Sequence, residues 1–347
     1  MIQRRSLLRA AAAVSVGAPC LSGIAQQSIT WKFHTFMTPT SDTWALLCKP
    51  WMDKVTAESQ GRIKFEGYPS QQLGGTPPQL YDQIKDGVID VTWTLPGLSG
   101  GRFPRTEVFE LPFLMNNAEA TSKAFWEYVQ TNAPQEYKDV HLLALHVSGP
   151  GVIHSRRKAV HTAADMKGMK VRAPSRQVTK LLSALGAVPI GMPLPMIPDG
   201  LSKGTIEATV LPWQTVPAVK VDELCKFHSE FPAATGALYT TTFVMAANKE
   251  KYEALAPDLK RVIDNNSGLA TSAWCGKTTA STDPVGRKIV SDRGNAIHTI
   301  YPADAAEFVK VSAQVEAEWI AEMSKRDING KALVDSAKAL IAKHGRG

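Results

Sequence analysis

The 347-residue sequence predicts a two-lobed α/β protein with a cleft between its lobes. Three observations predict it. Strand-like and helix-like segments alternate from Ile29 onward, as in a mostly parallel sheet covered by helices. Short segments of the first half recur in the second. The chain is also longer than one hydrophobic core usually accommodates.

Ile29 to Phe36 reads as a strand, Asp42 to Gln60 as a helix carrying Trp44, Leu47, Trp51 and Val55, and Gly61 to Tyr68 as a second strand. A helix over Pro77 to Asp86 and a strand over Ile89 to Leu95 follow. The pattern then repeats. Gly61-Arg62-Ile63-Lys64-Phe65, ahead of Pro69, is echoed by Gly168-Met169-Lys170-Val171-Arg172, ahead of Pro174. Gly87-Val88-Ile89-Asp90-Val91-Thr92 is echoed by Gly204-Thr205-Ile206-Glu207-Ala208-Thr209. Two lobes of similar topology would turn the C-terminal ends of their strands toward a shared cleft. Residues 26–150 with about 237–277 are expected to form the first lobe, and 151–236 with about 278–347 the second.

The strand ending at Arg172 meets a helix at once. Ser175 is placed to cap it, Val178, Leu181, Leu182 and Leu185 give it one apolar face, and Gly186 ends it. An arginine there can grip a carboxylate with two parallel N–H donors, keeps its charge at any ordinary pH, and gains a little from the helix dipole. Its competing role is a surface ion pair. Long helical segments run over Pro257 to Arg287 and Pro302 to Ser324, and a last one over Asp335 to Lys343.

Residues 1–25 read as an export signal of the twin-arginine type: adjacent Arg4 and Arg5, an apolar run over Ala10 to Val16, and a small-residue cleavage site near Ala25. Export to the periplasm follows. The segment carries three arginines and no acid, so its removal lowers the net charge from +7 to +4. No Lys/Arg block stands out, which argues against nucleic acid as a partner, while a mildly basic balance suits anionic small molecules. Cys48, Cys225 and Cys275 are widely spaced and suit buried thiols. No metal-ligand spacing or nucleotide cradle is present, and no cofactor is expected. Gly97-Leu98-Ser99-Gly100-Gly101 fits the nucleophile elbow of serine hydrolases, but Pro104 follows where the elbow needs a helix. An exported hydrolase using Ser99 is the competing reading.

Several segments together carry a family resemblance: Tyr68-Pro69-Ser70-Gln71-Gln72-Leu73-Gly74-Gly75, Lys85-Asp86-Gly87-Val88-Ile89-Asp90, Leu111-Pro112-Phe113, Asp165 to Pro174, and Leu185-Gly186-Ala187-Val188-Pro189. In order and spacing they resemble the solute-binding proteins of tripartite ATP-independent periplasmic (TRAP) transporters. The resemblance implies a bilobal flytrap fold braced by a long helix, capture of an organic acid, delivery to membrane permease subunits, and no catalysis. It implies that Arg172 pairs with the ligand carboxylate.

The departures are informative too. Where members that bind sugar acids place asparagine or glutamate, alignment puts Phe36, Leu95 and Leu211 here. Sugar hydroxyls buried against them would go unpaired, at roughly 1–3 kcal/mol each. The expected ligand is therefore an aromatic or otherwise apolar monocarboxylate, with a hydroxy or keto acid or a dicarboxylate as the alternative. Trp93 and Trp213 stand beside these positions and can stack on a ring. The family's second polar contact near the crossover has no arginine here, which leaves His154 or Ser155. A monomer is expected, and a sensory role is not separable from transport in the sequence.

Overall fold

The computed structural model describes residues 28–115 and 117–345. The expected export signal lies outside the described residues. Among those residues eleven strands form in chain order: β1 (Ile29–His34), β2 (Ile63–Tyr68), β3 (Val91–Thr94), β4 (Val140–Val147), β5 (Val152–Ser155), β6 (Lys170–Ala173), β7 (Val188–Gly191), β8 (Ala208–Leu211), β9 (Phe227–Glu230), β10 (Thr242–Asn248) and β11 (Ala296–Thr299). They make two sheets, ordered β2-β1-β3-β10-β4 and β11-β9-β5-β8-β6-β7. Each contains a parallel trio, β2-β1-β3 or β7-β6-β8, extended by an antiparallel partner. The protein is a bilobal α/β fold.

The topology refines the internal repeat. β3 and β8 occupy matching places in their trios, and the glycines opening their segments, Gly87 and Gly204, both take a left-handed φ, 73° and 74°. The other echo pairs unlike strands. β2 lies at a sheet edge, whereas β6 is central to its trio and corresponds to β1. That similarity reflects only what any short βα unit needs, a left-handed glycine before an alternating strand.

Two linkers join the lobes side by side. Residues 148–151 lead from β4 to β5, and 231–241 return from β9 to β10. They form a narrow ribbon, with Ser148 N–H donating to Thr241 O and Gly151 N–H to Tyr239 O, both at 3.0 Å. Gly151 has no alternative, because a Cβ there would collide with the Tyr239 ring.

The helix Gly268–Asp292 braces both lobes. Its Ser272 hydroxyl accepts the N–H of Leu145 in β4 at 3.0 Å. Gly276 lets it press against Ala118 and Ser122 of the first lobe, and Gly286 against the Trp213 backbone of the second. Ten residues at 1.5 Å per residue put these two close approaches about 15 Å apart. A rod gripped at two such points limits the lobes to hinging about the ribbon.

Several elements differ from expectation. The helix over Asp42–Gln60 opens as a π-turn, Thr43–Cys48, before the regular Lys49–Glu58, because Pro50 has no N–H to continue the α pattern. The segment Pro257–Arg287 is two helices, Pro257–Asn265 and Gly268–Asp292, separated where Gly268 takes a φ of 86°. Ser175 occupies the cap position of helix Arg176–Ala184 but contributes no side-chain bond.

The assignment of residues 278–347 to the second lobe fails for the last helix, Gly330–His344. It lies on helix Ala118–Asn132 of the first lobe, where Asn132 donates to Ser336 Oγ at 3.1 Å and Lys343 pairs with Glu127 at 2.8 Å. Its apolar face of Leu333, Val334, Ala337 and Ile341 is buried there, and that burial decides its lobe. Among the described residues no helix is long and apolar enough to cross a membrane.

Candidate functional site

Because β10 runs antiparallel to both neighbours, the C-terminal ends of β1, β3 and β4 and the start of β10 meet at one edge of the first sheet. The ends of β6, β7 and β8 meet at one edge of the second. A chamber lies between these edges. The first lobe lines it with Phe36, Trp93, Leu95 and Phe243, and the second with Arg172, Pro174, Leu194 and Leu211. Ser148, Tyr239 and Thr241 of the hinge ribbon line it as well.

Arg172 is 3 % exposed, held in β6 between Ile190 of β7 and Thr209 of β8. Its Nε donates to the Met192 carbonyl at 2.8 Å, which fixes the plane of the guanidinium. Among the described residues no carboxylate lies within ion-pair distance of it. Enclosure away from water pulls its pKa down to about 10, still far above neutrality, so a full positive charge is buried with no anion beside it. A buried charge is costly unless paired. The chamber therefore holds a preformed demand for an anion.

The walls are aromatic. Trp93 stacks on Phe243 with centroids 4.4 Å apart and planes 20° apart, and Phe36 tilts over Trp93 at 5.8 Å. Behind them His146 stacks on Phe243 at 5.0 Å and accepts the Trp93 indole N–H at 2.8 Å. Burial lowers the His146 pKa to about 4, which keeps the ring neutral. Tyr239 packs over Gly151 and lies near enough to Arg172 for the two to interact electrostatically.

Arg172, Phe36, Trp93, Leu95 and Leu211 are thus brought together from two lobes and four strand ends, those of β1, β3, β6 and β8. Trp213, His154 and Ser155 are not among the residues lining the chamber. The short turn Trp213–Thr215 reverses the facing of alternate residues. Gln214 and Thr215 line the chamber, while the Trp213 indole turns away to donate to Glu230 at 3.1 Å. His154 sits in β5 between β8 and β9, with both ring nitrogens committed, Nδ1 to Nδ1 of His228 at 2.7 Å and Nε2 to the Leu211 carbonyl at 3.1 Å. Ser155 ends β5, which starts at the cleft and runs away from it, leaving Ser155 about 10 Å along the strand. The crossover's polar contributions to the chamber are instead Ser148, Tyr239 and Thr241.

Ser99 follows a single turn, Pro96–Leu98, with no helix after it, and its hydroxyl lies 3.5 Å from the Pro78 carbonyl. The three described cysteines are buried and unpaired. Among the described residues no cluster of His, Cys, Asp or Glu has metal-binding geometry.

Two facing strand-end edges, a two-strand hinge and an enclosed cation define a solute-binding protein that closes over its ligand. Comparison with known proteins agrees: the chain belongs to the bacterial extracellular solute-binding proteins of family 7 (DctP), whose model matches residues 34–322. A TRAP solute-binding protein from Rhodoferax ferrireducens T118, solved with copurified benzoate, is 58 % identical over 92 % of this chain and 99 % of its own, with a TM-score of 0.91. A marine-metagenome TRAP solute-binding protein specific for aromatic acids, solved with 3-hydroxybenzoate, is 44 % identical over 92 % and 99 % of the two chains, with a TM-score of 0.90. The 2,3-diketo-L-gulonate-binding periplasmic protein of Escherichia coli K12 is 26 % identical over 75 % of this chain and 77 % of its own. The protein is accordingly an extracytoplasmic TRAP-type solute-binding protein, and permease subunits are its membrane partners.

Proposed function

We propose that this protein captures an aromatic monocarboxylate of benzoate size in the periplasm and delivers it to its permease, and that it acts by binding alone. The observation that carries this reading is the unpaired Arg172 guanidinium enclosed in an aromatic-walled chamber. The ligand carboxylate meets Arg172, and its ring lies among Phe36, Trp93, Leu95 and Leu211. The benzoate and 3-hydroxybenzoate complexes of the two similar structures reported above support that choice. Sugar acids are disfavoured, because the apolar walls leave their hydroxyls without partners.

Micromolar affinity corresponds to about −8 kcal/mol. A charge-assisted pair in a water-excluding chamber plus one buried ring supplies that order once closure has removed solvent. Closure is therefore part of the binding free energy and of the signal that the permease reads.

The test is a thermal-shift and calorimetric panel on the mature protein, run with benzoate, hydroxybenzoates, phenylacetate, short hydroxy and keto acids, dicarboxylates and sugar acids. Tight binding confined to the aromatic acids is expected. Preferential binding of sugar acids or dicarboxylates would overturn the assignment.

A further inference from the structure

Asp283 occupies the middle of the bracing helix, immediately before Pro284. Its Oδ1 accepts the backbone N–H of Gln214 at 2.9 Å. Its other oxygen fills the space beside Gly149, where any Cβ would overlap it. Gln214 is a wall of the chamber, and Gly149 belongs to the linker between the lobes. One carboxylate thus joins the brace, the hinge and the ligand site.

Among the described residues no cation pairs with it. On its own helix Arg287 lies one turn on, but that guanidinium is held by Glu230 of β9 at 2.8 and 3.0 Å. Glu230 is also the only acid that β9 turns toward this cleft among the described residues. The segment 231–237, the linker 148–151 and the turn Trp213–Thr215 present no ionisable side chain to it. Asp42 lies beyond Thr282, in the neighbouring cavity. A carboxylate left with one N–H donor in this enclosure has its pKa raised to about 7.

We propose that Asp283 is the positioning residue that ties the hinge to the chamber, holding the Trp213–Thr215 turn in the place where Gln214 and Thr215 close over the ligand. The inference rests on the carboxylate-binding reading of the chamber. The ionised carboxylate grips the Gln214 N–H more strongly than the neutral acid does, so ligand affinity is coupled to the charge on Asp283.

The test measures benzoate affinity by calorimetry from pH 6 to 8, a range over which benzoate stays ionised, in the wild type, Asp283→Asn and Asp283→Ala. The wild type is expected to bind about three- to tenfold more tightly at pH 8 than at pH 6, the difference between a charged and a neutral hydrogen bond. Asp283→Asn keeps an acceptor of the same shape and should bind at the level of the wild type at pH 6 with a flat profile. Asp283→Ala should be weaker at every pH. An Asp283→Asn profile that follows the wild type, or wild-type affinity that falls as pH rises, overturns the inference and leaves the ligand assignment standing. Absence of benzoate binding to the wild type at every pH overturns the ligand assignment, and the inference with it.

Discussion

The indole N–H of Trp93 donates to Nε2 of His146 at 2.8 Å, and the other ring nitrogen of His146 lies 3.3 Å from the carbonyl of Val147. A carbonyl cannot donate, so Nδ1 carries the proton and Nε2 is free to accept. The wall of the chamber is thus fixed by a histidine that must stay neutral.

Acid should therefore loosen the fold. His146 takes up a proton near its ordinary value of 6.5 when unfolded but only near 4 when folded, because burial opposes its charge. The unfolded state binds more protons in that window, so stability is full above pH 6.5 and is lost as pH falls from 6.5 toward 4, by about 3 kcal/mol for this group. Burial holds His228 down to about 4 and also lowers His154, which adds loss in the same direction. Denaturant midpoints across pH 4–7 measure the slope, and His146→Gln should reduce it.

Trp93 should discriminate aromatic from aliphatic acids. Its ring is stacked on Phe243 and lines the chamber together with Phe36. Trp93→Ala is expected to weaken benzoate binding at least tenfold while changing the affinity for a short aliphatic acid much less, since the loss is one of ring contact and not of charge. Parallel calorimetry with benzoate and propionate checks this.

A charged clasp closes the cleft from outside the chamber. Glu107, on the first-lobe turn Thr106–Glu110, receives Arg176 and Gln177 from the helix that follows β6, the Gln177 bond being 2.7 Å. Arg176 is held in turn by Glu322 at 2.8 Å. Glu107→Gln should raise the benzoate Kd by about tenfold, mainly through faster release, because these groups bridge the closed lobes without touching the ligand. Stopped-flow dissociation measures it.

The hinge ribbon tolerates no side chain at residue 151. Gly151→Ala forces the Tyr239 ring away from its place over the linker. A destabilisation of about 1–3 kcal/mol is expected, as for other overpacked sites, together with weaker binding because Tyr239 neighbours Arg172. Thermal unfolding with and without benzoate separates the two effects.

The parts legible in the sequence are those written locally. The βαβ alternation, the helix closed by Gly186 and the strand end bearing Arg172 each depend on a few adjacent residues, and each is found in the fold. β10 is different. Phe243-Val244-Met245-Ala246-Ala247 is a short apolar run consistent with a buried strand, but nothing local says that it crosses back between β3 and β4. That return crossing brings Tyr239, Thr241 and Phe243 to the chamber. Trp213 and His154 show the converse. Proximity in sequence to a lining residue does not fix facing, which the short turn Trp213–Thr215 reverses for Trp213 and two hydrogen bonds decide for His154. The docking of the last helix on the first lobe is likewise a tertiary choice that its own amphipathic pattern does not specify.

The central claim is that the enclosed Arg172 charge exists to be neutralised by the ligand. Arg172→Met is the direct measurement: calorimetric affinity for benzoate alongside the melting temperature of the ligand-free protein. Loss of affinity by at least about 100-fold, with a melting temperature unchanged or raised because an uncompensated buried charge has been removed, is the predicted result. Benzoate affinity within a few-fold of the wild type in a folded Arg172→Met protein would contradict the account.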